Sequence, residues 1–295
     1  MSLGDLQRLL LLSAIWGASF ILFRVIVPVL GPVVTVELRV LIAGIALLIY
    51  AGIIRANLEW RERWPWYAIV GITNSAIPFA LIAYSEVRLS ASLASILNAS
   101  TPLFTAILAA IFFRDPLTSR KILGLMLGFV GVVVLVGWSP LEPDLTTYLS
   151  VAAMLGATFF YGLSSNLTRL KLKGAPPLGA AVGSQLASSL ALLPFVPFNP
   201  AHAAPDLTVV LCLLGLALVC TAFAYILYFR LILETGATRA STVTFIVPVF
   251  GVLWGALFLH EPVGLEKILA CAIILVGASL VTGLNLNSFR SVPAK

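Results

Sequence analysis

A sparse set of polar and aromatic side chains recurs at helical spacing in an otherwise apolar chain, and its chemistry is recognition rather than bond cleavage. Trp16, Ser19, Phe20 and Phe23 stand at i, i+3, i+4 and i+7, one face of a helix. Tyr161, Ser164, Ser165 and Thr168 repeat that spacing. Asn98, Thr101 and Pro102 have counterparts in Thr244, Val247 and Pro248. Rings offer stacking surface, while hydroxyls and amides hydrogen-bond a ligand. A proline inside a spanning helix frees a backbone carbonyl that can take an ammonium or hydroxyl group. Asn74, near the middle of the third apolar run, is a second amide of this kind. Trp254 lies ten residues beyond Thr244, just under three turns, and so faces roughly the same side. The candidate binding residues are therefore Trp16, Ser19, Asn74, Asn98, Thr101, Tyr161, Ser164, Thr244 and Trp254, with Pro102 and Pro248 as helix breaks. Each has a plainer alternative. The first and sixth helices could cross closely on Gly17 and Gly162, and the amides could simply join helices.

The elements that carry these residues must sit in lipid. Hydrophobic residues make up 60% of the 295 and charged residues 10%, with mean hydropathy +1.07, against roughly 45–50% and 25% in soluble domains. Ten apolar runs can be traced near 6–27, 33–54, 64–84, 91–113, 121–138, 148–169, 178–198, 207–233, 237–259 and 265–284, each close to the ~20 residues of a spanning helix. Pro28, Gly31-Pro32, Pro116, Pro143, Pro176-Pro177 and Pro205 punctuate them. The N-terminal run is too long for a signal sequence and lacks a clear cleavage site, so it reads as the first helix.

The chain is also written twice. Trp16-Gly17-Ala18-Ser19 returns as Tyr161-Gly162-Leu163-Ser164, and Arg24 as Arg169, 145 residues on. Pro102 returns as Pro248, Asp115-Pro116 as Glu261-Pro262, Lys121 as Lys267 and Gly131 as Gly277, 146 residues on. Internal repetition outranks any local motif. Five helices per copy, an odd number, invert the second copy across the bilayer, with a site expected near the midplane. The expected fold is all-α and integral to the membrane: a first repeat over 1–142 and a second, inverted repeat over 143–295. With the N-terminus inside, 14 of the 18 Lys and Arg fall on the cytoplasmic side. The four exceptions are Arg24, Arg39, Arg88 and Lys267, so both termini are expected in the cytoplasm. The net charge of +6 thus reports topology, and no nucleic-acid partner is expected.

Charged groups add little to the site at this level. Arg24 and Arg169 read as snorkelling helix ends. Glu37 and Arg39, two apart, cannot face each other on a helix, and Arg39 reads as snorkelling or anchoring a neighbouring helix end. Glu86, Glu234, Glu261 and Glu266 fall near interfaces, and Tyr84, Tyr225 and Tyr228 read as interfacial belt residues. No carboxylate is expected at the centre of any span, which favours facilitated diffusion and leaves proton antiport open. Cys212, Cys220 and Cys271 lie in apolar runs without metal or redox spacing. No catalytic cluster, metal site or cofactor is read from the sequence, and the chain is not expected to be an enzyme.

Ten helices in two inverted copies, Trp16-Gly17-Ala18-Ser19-Phe20, Glu37-Leu38-Arg39, and Pro102 followed by Phe113-Arg114-Asp115-Pro116 resemble the EamA repeat. That repeat defines a large branch of the drug/metabolite transporter superfamily. The resemblance covers about 6–284 and implies a secondary transporter with a cavity lined by the first, third, fourth, sixth, eighth and ninth helices. Among members the chain is most similar to bacterial inner-membrane exporters of aromatic and other neutral amino acids. The implied partners are a small-molecule substrate (amino acids or related metabolites) and membrane lipid, with the protein a monomer or weak dimer. Rings, hydroxyls and one amide suit a zwitterion with an apolar side chain.

Overall fold

Pro32 and Gly31 set the shape of the first element. In a computed structural model, which describes residues 3–138, 142, 144–235 and 243–282, α1 (Leu3–Ile53) runs 51 residues with one non-helical position, Gly31 at φ 72° and ψ 163°. That conformation is essentially reserved for glycine. At 1.5 Å per residue such a helix would measure ~77 Å, over twice the ~30 Å hydrocarbon layer, so Gly31 divides it into two arms. Pro32 has no N–H to offer the carbonyl of Pro28, and His202 Nδ1 lies 3.3 Å from that oxygen. The backbone N–H groups of His202 and Ala203 donate to the Val29 carbonyl at 2.9 and 3.1 Å. The Thr35 hydroxyl donates to the Gly31 carbonyl at 2.6 Å. The break expected between 28 and 32 is therefore a capped corner that joins two helical arms.

After α1 come α2 (Trp60–Gly71), a π-helical turn (Ile72–Ala76), α3 (Ile77–Ser85), α4 (Ala91–Asn98), α5 (Thr101–Phe113), α6 (Ser119–Trp138) and α7 (Leu145–Lys171). The rest are α8 (Pro177–Leu192) with a 3₁₀ extension (Leu193–Phe198), α9 (Leu207–Leu214), a longer π-helical stretch (Gly215–Phe223), α10 (Ala224–Thr235), α11 (Val243–Leu259) and α12 (Leu265–Thr282). There is no strand among the described residues. Among the described residues eight helices are long and apolar enough to cross a membrane, and α11 is a shorter apolar one. The protein is a multi-pass membrane protein. Pro143, the segments 139–141 and 236–242 (the latter with Arg239), and the C-terminal residues Arg290 and Lys295 lie outside the described residues.

The fourth apolar run, 91–113, is split at Ala99-Ser100, next to the helix break read from Pro102, which cannot bond the Asn98 carbonyl. Thr101 Oγ1 donates to that carbonyl instead, at 2.8 Å. By contrast, α11 continues helical through Pro248. Outward faces are apolar, with Ile111, Met126, Val133, Leu190 and Leu257 all exposed. Packing is densest where glycines let backbones touch. On α6, a Cβ at Gly124 would lie 2.6 Å from the Gly277 carbonyl of α12; one at Gly128 would meet Leu103 and one at Gly131 would meet Ile274. Helices distant in sequence interleave. α1 packs on α8, α11 and the Gly215–Phe223 stretch, α7 on α3 and α5, and α6 on α12.

Candidate functional site

Two helix crossings hold most of the candidate side chains. At the first, a Cβ on Gly17 would sit 2.7 Å from Phe250 Cβ, so α1 and α11 are nearly in backbone contact. Trp254 Nε1 donates to the Ala14 carbonyl at 2.9 Å, and its ring stacks on Phe250 with centroids 5.8 Å apart. Trp16 packs against Tyr228 of α10, ring centroids 5.3 Å apart. The Ser19 hydroxyl is buried and donates to the Trp16 carbonyl. At the second crossing, a Cβ on Gly162 would lie 2.8 Å from the Thr105 backbone nitrogen, joining α7 to α5. Asn166 Nδ2 secures it by donating to the carbonyls of Thr105 (3.1 Å) and Gly162 (2.8 Å).

Tyr161 lies at this second crossing, its ring edge-on to Phe79 of α3 at 6.5 Å. Ser164, one turn along the same face, is 1% exposed. Its hydroxyl oxygen makes no hydrogen bond among the described residues, and neither does the buried Oδ1 of Asn98 on α4. The contrast with Ser19 is informative. A helical serine ordinarily returns its proton to a carbonyl three or four residues back, as Ser13, Ser19, Ser95 and Ser100 do here. Because α4 contacts α1, α7 and α11, both crossings meet on the helix that carries Asn98. Thr244 is half-buried at the start of α11. The freed carbonyl expected at Asn98 already accepts from Thr101.

Asn74 goes elsewhere. It stands in the Ile72–Ala76 π turn and donates to Tyr225 Oη at 3.1 Å. Gln185 Nε2 of α8 donates to Ser75 Oγ at 3.1 Å beside it. Tyr225 and Tyr228, expected in the interfacial belt, are half-buried against Asn74 and Trp16, whereas Tyr84 is exposed at 41%.

Reading the sequence alone missed a buried charged layer next to these groups. Arg39 is 4% exposed and Glu37 4%, and neither snorkels. Arg39 Nε donates to Thr221 Oγ1 at 2.9 Å, and its guanidinium lies over Phe79 (3.7 Å) and Phe23 (5.0 Å). Glu37 accepts from the Ser189 hydroxyl of α8, while its Oε2 has no partner among the described residues. Glu86, expected at an interface, is 1% exposed with neither carboxylate oxygen hydrogen-bonded among the described residues. Arg24, half-buried, donates to the Glu86 and Val87 carbonyls. The corner at Gly31 was the available signal. Arg39 lies eight residues beyond it, ~12 Å along the second arm.

Carboxylates also tie the loops. Glu261 accepts from the backbone N–H groups of Ala91 (2.8 Å) and Ser92 (2.9 Å), capping α4 from the loop after α11. Asp115, in the loop after α5, pairs with Arg169 at 3.2 Å. Asp144 caps α7 through the Thr147 N–H at 2.7 Å and pairs with Arg88. These bonds, led by the Thr147 N–H, hold the Asp144 carboxyl below its ordinary value.

The model of the EamA-like transporter family matches residues 6–137 and again 148–283. A relative named an uncharacterized transporter in Archaeoglobus fulgidus is 26% identical over 90% of this chain and 94% of its own. A protein of Escherichia coli K12 named a probable amino-acid metabolite efflux pump is 26% identical over 98% of this chain and 96% of its own. Protein PecM of Dickeya dadantii is 22% identical over 94% and 91%. A solved crystal structure 19% identical in sequence shares the fold, with TM-score 0.68 over 96% of this chain and 97% of that one.

Proposed function

The chain belongs to the EamA-like transporter family, and from that premise we propose that it exports small metabolites across the bacterial inner membrane by alternating access around a centre between its two halves. Neutral amino acids, aromatic ones among them, are the proposed cargo. The relative named a probable amino-acid metabolite efflux pump supports that class. The observation that carries the reading is a pair of buried groups without partners among the described residues, Ser164 Oγ at the second crossing and Asn98 Oδ1 on α4, which packs against α7. A buried polar atom without a partner costs free energy unless something supplies one. A passing ammonium or hydroxyl would supply it. The proposed binding set is the one expected from sequence: Trp16, Ser19, Asn74, Asn98, Thr101, Tyr161, Ser164, Thr244 and Trp254.

The proposed architecture is ten crossings in two inverted five-helix repeats, 1–142 and 143–295, with both termini cytoplasmic. Counting the arms of α1 separately makes ten of the nine apolar helices among the described residues. Several features that return at a constant offset support the repeats. Gly17 meets Phe250-Gly251 as Gly162 meets Phe104-Thr105. Arg114 and His260 share a positive φ of 54° and 53°. Lys121 and Lys267 each reach back to the carbonyl of Pro116 or Pro262. The two π-helical stretches, Ile72–Ala76 and Gly215–Phe223, also fall at equivalent positions. Glu86, whose buried carboxylate has no hydrogen-bond partner among the described residues, favours proton-coupled export as a second reading. Counterflow of labelled phenylalanine, threonine and methionine in proteoliposomes tests both. Exchange at equal pH and zero potential supports facilitation, strict dependence on a proton gradient supports coupling, and no flux of any amino acid refutes the cargo class.

A further inference from the structure

Arg39 is a buried cation whose guanidinium the described residues leave open on one side. Its environment fixes it firmly. Nε donates to Thr221 Oγ1 at 2.9 Å, and the same hydroxyl donates to the Leu216 carbonyl at 2.9 Å, inside the Gly215–Phe223 π stretch. Phe79 and Phe23 lie against the guanidinium at 3.7 and 5.0 Å. These contacts set the plane of the fork and leave its two Nη groups, four N–H donors, with no acceptor among the described residues. The ionisable groups facing it are Tyr161 of α7, Tyr225 of α10, Cys220 and Glu86. Glu86 makes neither an ion pair nor a hydrogen bond with it among the described residues.

A guanidinium desolvated in the membrane interior without an anion is costly. Its planar fork matches a carboxylate, two N–H groups to two oxygens. The Tyr161 phenol, which also faces the guanidinium, would add a donor to the same anion. Around the fork the walls are aromatic, so an apolar side chain beside the carboxylate would meet Phe79 and Tyr161. Both π-helical turns border this place, one contributing Asn74 and Ser75 and the other Thr221. Such turns open a helix locally and are frequent at functional sites.

We propose that Arg39 is the carboxylate anchor of the transport site, holding the α-carboxylate of a small neutral amino acid through its two Nη groups. This rests on the exporter reading and deepens it. The anchored ligand carries a single negative charge on a planar group. Its ammonium would be left to acceptors outside the fork, Ser164 Oγ lying one turn beyond Tyr161 on α7.

The test is ligand binding by the full chain in detergent micelles, measured by thermal shift and equilibrium titration with two matched pairs: phenylalanine against phenylalaninamide, and 3-phenylpropionate against 3-phenylpropanamide. The parent should prefer each acid over its amide by at least roughly tenfold, the scale of one hydrogen bond to a charged group. Arg39→Gln should bring that ratio to about one, and Arg39→Lys, which keeps charge but not the fork, should fall between. A parent that binds phenylalanine and its amide equally overturns the anchor and leaves the exporter reading intact. An acid preference that survives in folded Arg39→Gln also overturns the anchor. Binding of 3-phenylpropionate but not phenylalanine, lost with Arg39, upholds the anchor and refutes amino acids as cargo. Binding of neither acid refutes both. If Arg39→Gln does not fold, the parent ratio and the lysine variant decide.

Discussion

Glu261 offers the sharpest test of how the two halves hold each other. Its carboxylate takes the backbone N–H groups of Ala91 and Ser92 at 2.8 and 2.9 Å, and Ser90 Oγ takes that of Leu93 at 3.3 Å. Three of the four orphan N–H groups of the α4 N-terminus are thus satisfied, two of them by a residue 169 or 170 positions away. A hydrogen bond to a charged group is worth about 1.5–3 kcal/mol, and the helix dipole adds about 0.3–1 kcal/mol. Glu261 is half-buried, so water replaces part of what is lost. Glu261→Ala should then cost about 2–4 kcal/mol, and Glu261→Gln, which keeps one acceptor oxygen, about half of that. If the cap is made in only one access state, a loss of about 2 kcal/mol shifts the balance between states roughly 30-fold. The assay is fluorescence-monitored melting in micelles paired with transport from each face of the membrane. The expected order of melting temperature is parent, then Gln, then Ala, with transport asymmetry changing in the same order. Equal melting of the Ala variant and the parent would refute the reasoning, since a two-bond cap on a spanning helix cannot be lost without cost.

Other consequences follow from the same contacts. Gly277→Val would place a Cβ 2.6 Å from backbone atoms of Gly124 and Gly128, so overpacking should cost about 1–3 kcal/mol or more. Gly52→Ala, which meets nothing within 4 Å, should melt as the parent or higher, and equal melting of both variants would count against a tight α6–α12 contact. Trp16→Ala should lower affinity for aromatic substrates by about 1–3 kcal/mol through lost apolar contact and spare threonine, whereas Asn98→Ala should weaken all amino acids alike. A folded Asn98→Ala variant that transports every substrate normally would make the amide helix glue only. For Asp144, whose folded value is depressed, the stabilising contribution is complete above the ordinary aspartate value of 3.8 and is lost as pH falls through its lower folded value. The gap in melting temperature between parent and Asp144→Ala should therefore hold at neutral pH and close only in strong acid. In a cysteine-free background, Cys at Ala204 should react with impermeant thiol reagents from the periplasm and Cys at Asn57 or Lys173 should not, the reverse pattern overturning the orientation.

The parts of this protein legible in its sequence are those governed by local rules. Apolar runs of spanning length, Gly31-Pro32 at the first corner, Pro102 at the α4–α5 break and the small residues at Gly17 and Gly162 each act within a turn or two of themselves. What spacing could not convey was which of two identical positions would be spent on packing. Ser19 and Ser164 occupy equivalent places, yet one returns its proton to the Trp16 carbonyl and the other does not. Trp254 has the right phase for a binding wall, but its indole N–H is committed to Ala14 across 240 residues. Arg39 was the largest omission, and for a physical reason. Two residues from Glu37 on one helix, it cannot face that carboxylate, so local reading sent it to the interface. In the folded chain its partners are Thr221, 182 residues away, and Phe79 from another helix. A charge inside the membrane is read correctly only once the helices that surround it are known. The two crossings and the open fork of Arg39 then converge on a single expectation: of the residues that spacing picked out, Trp254 ties two helices together while Asn98 and Ser164 keep atoms free of protein partners among the described residues, and the charged layer that spacing overlooked joins them in deciding what the walls admit.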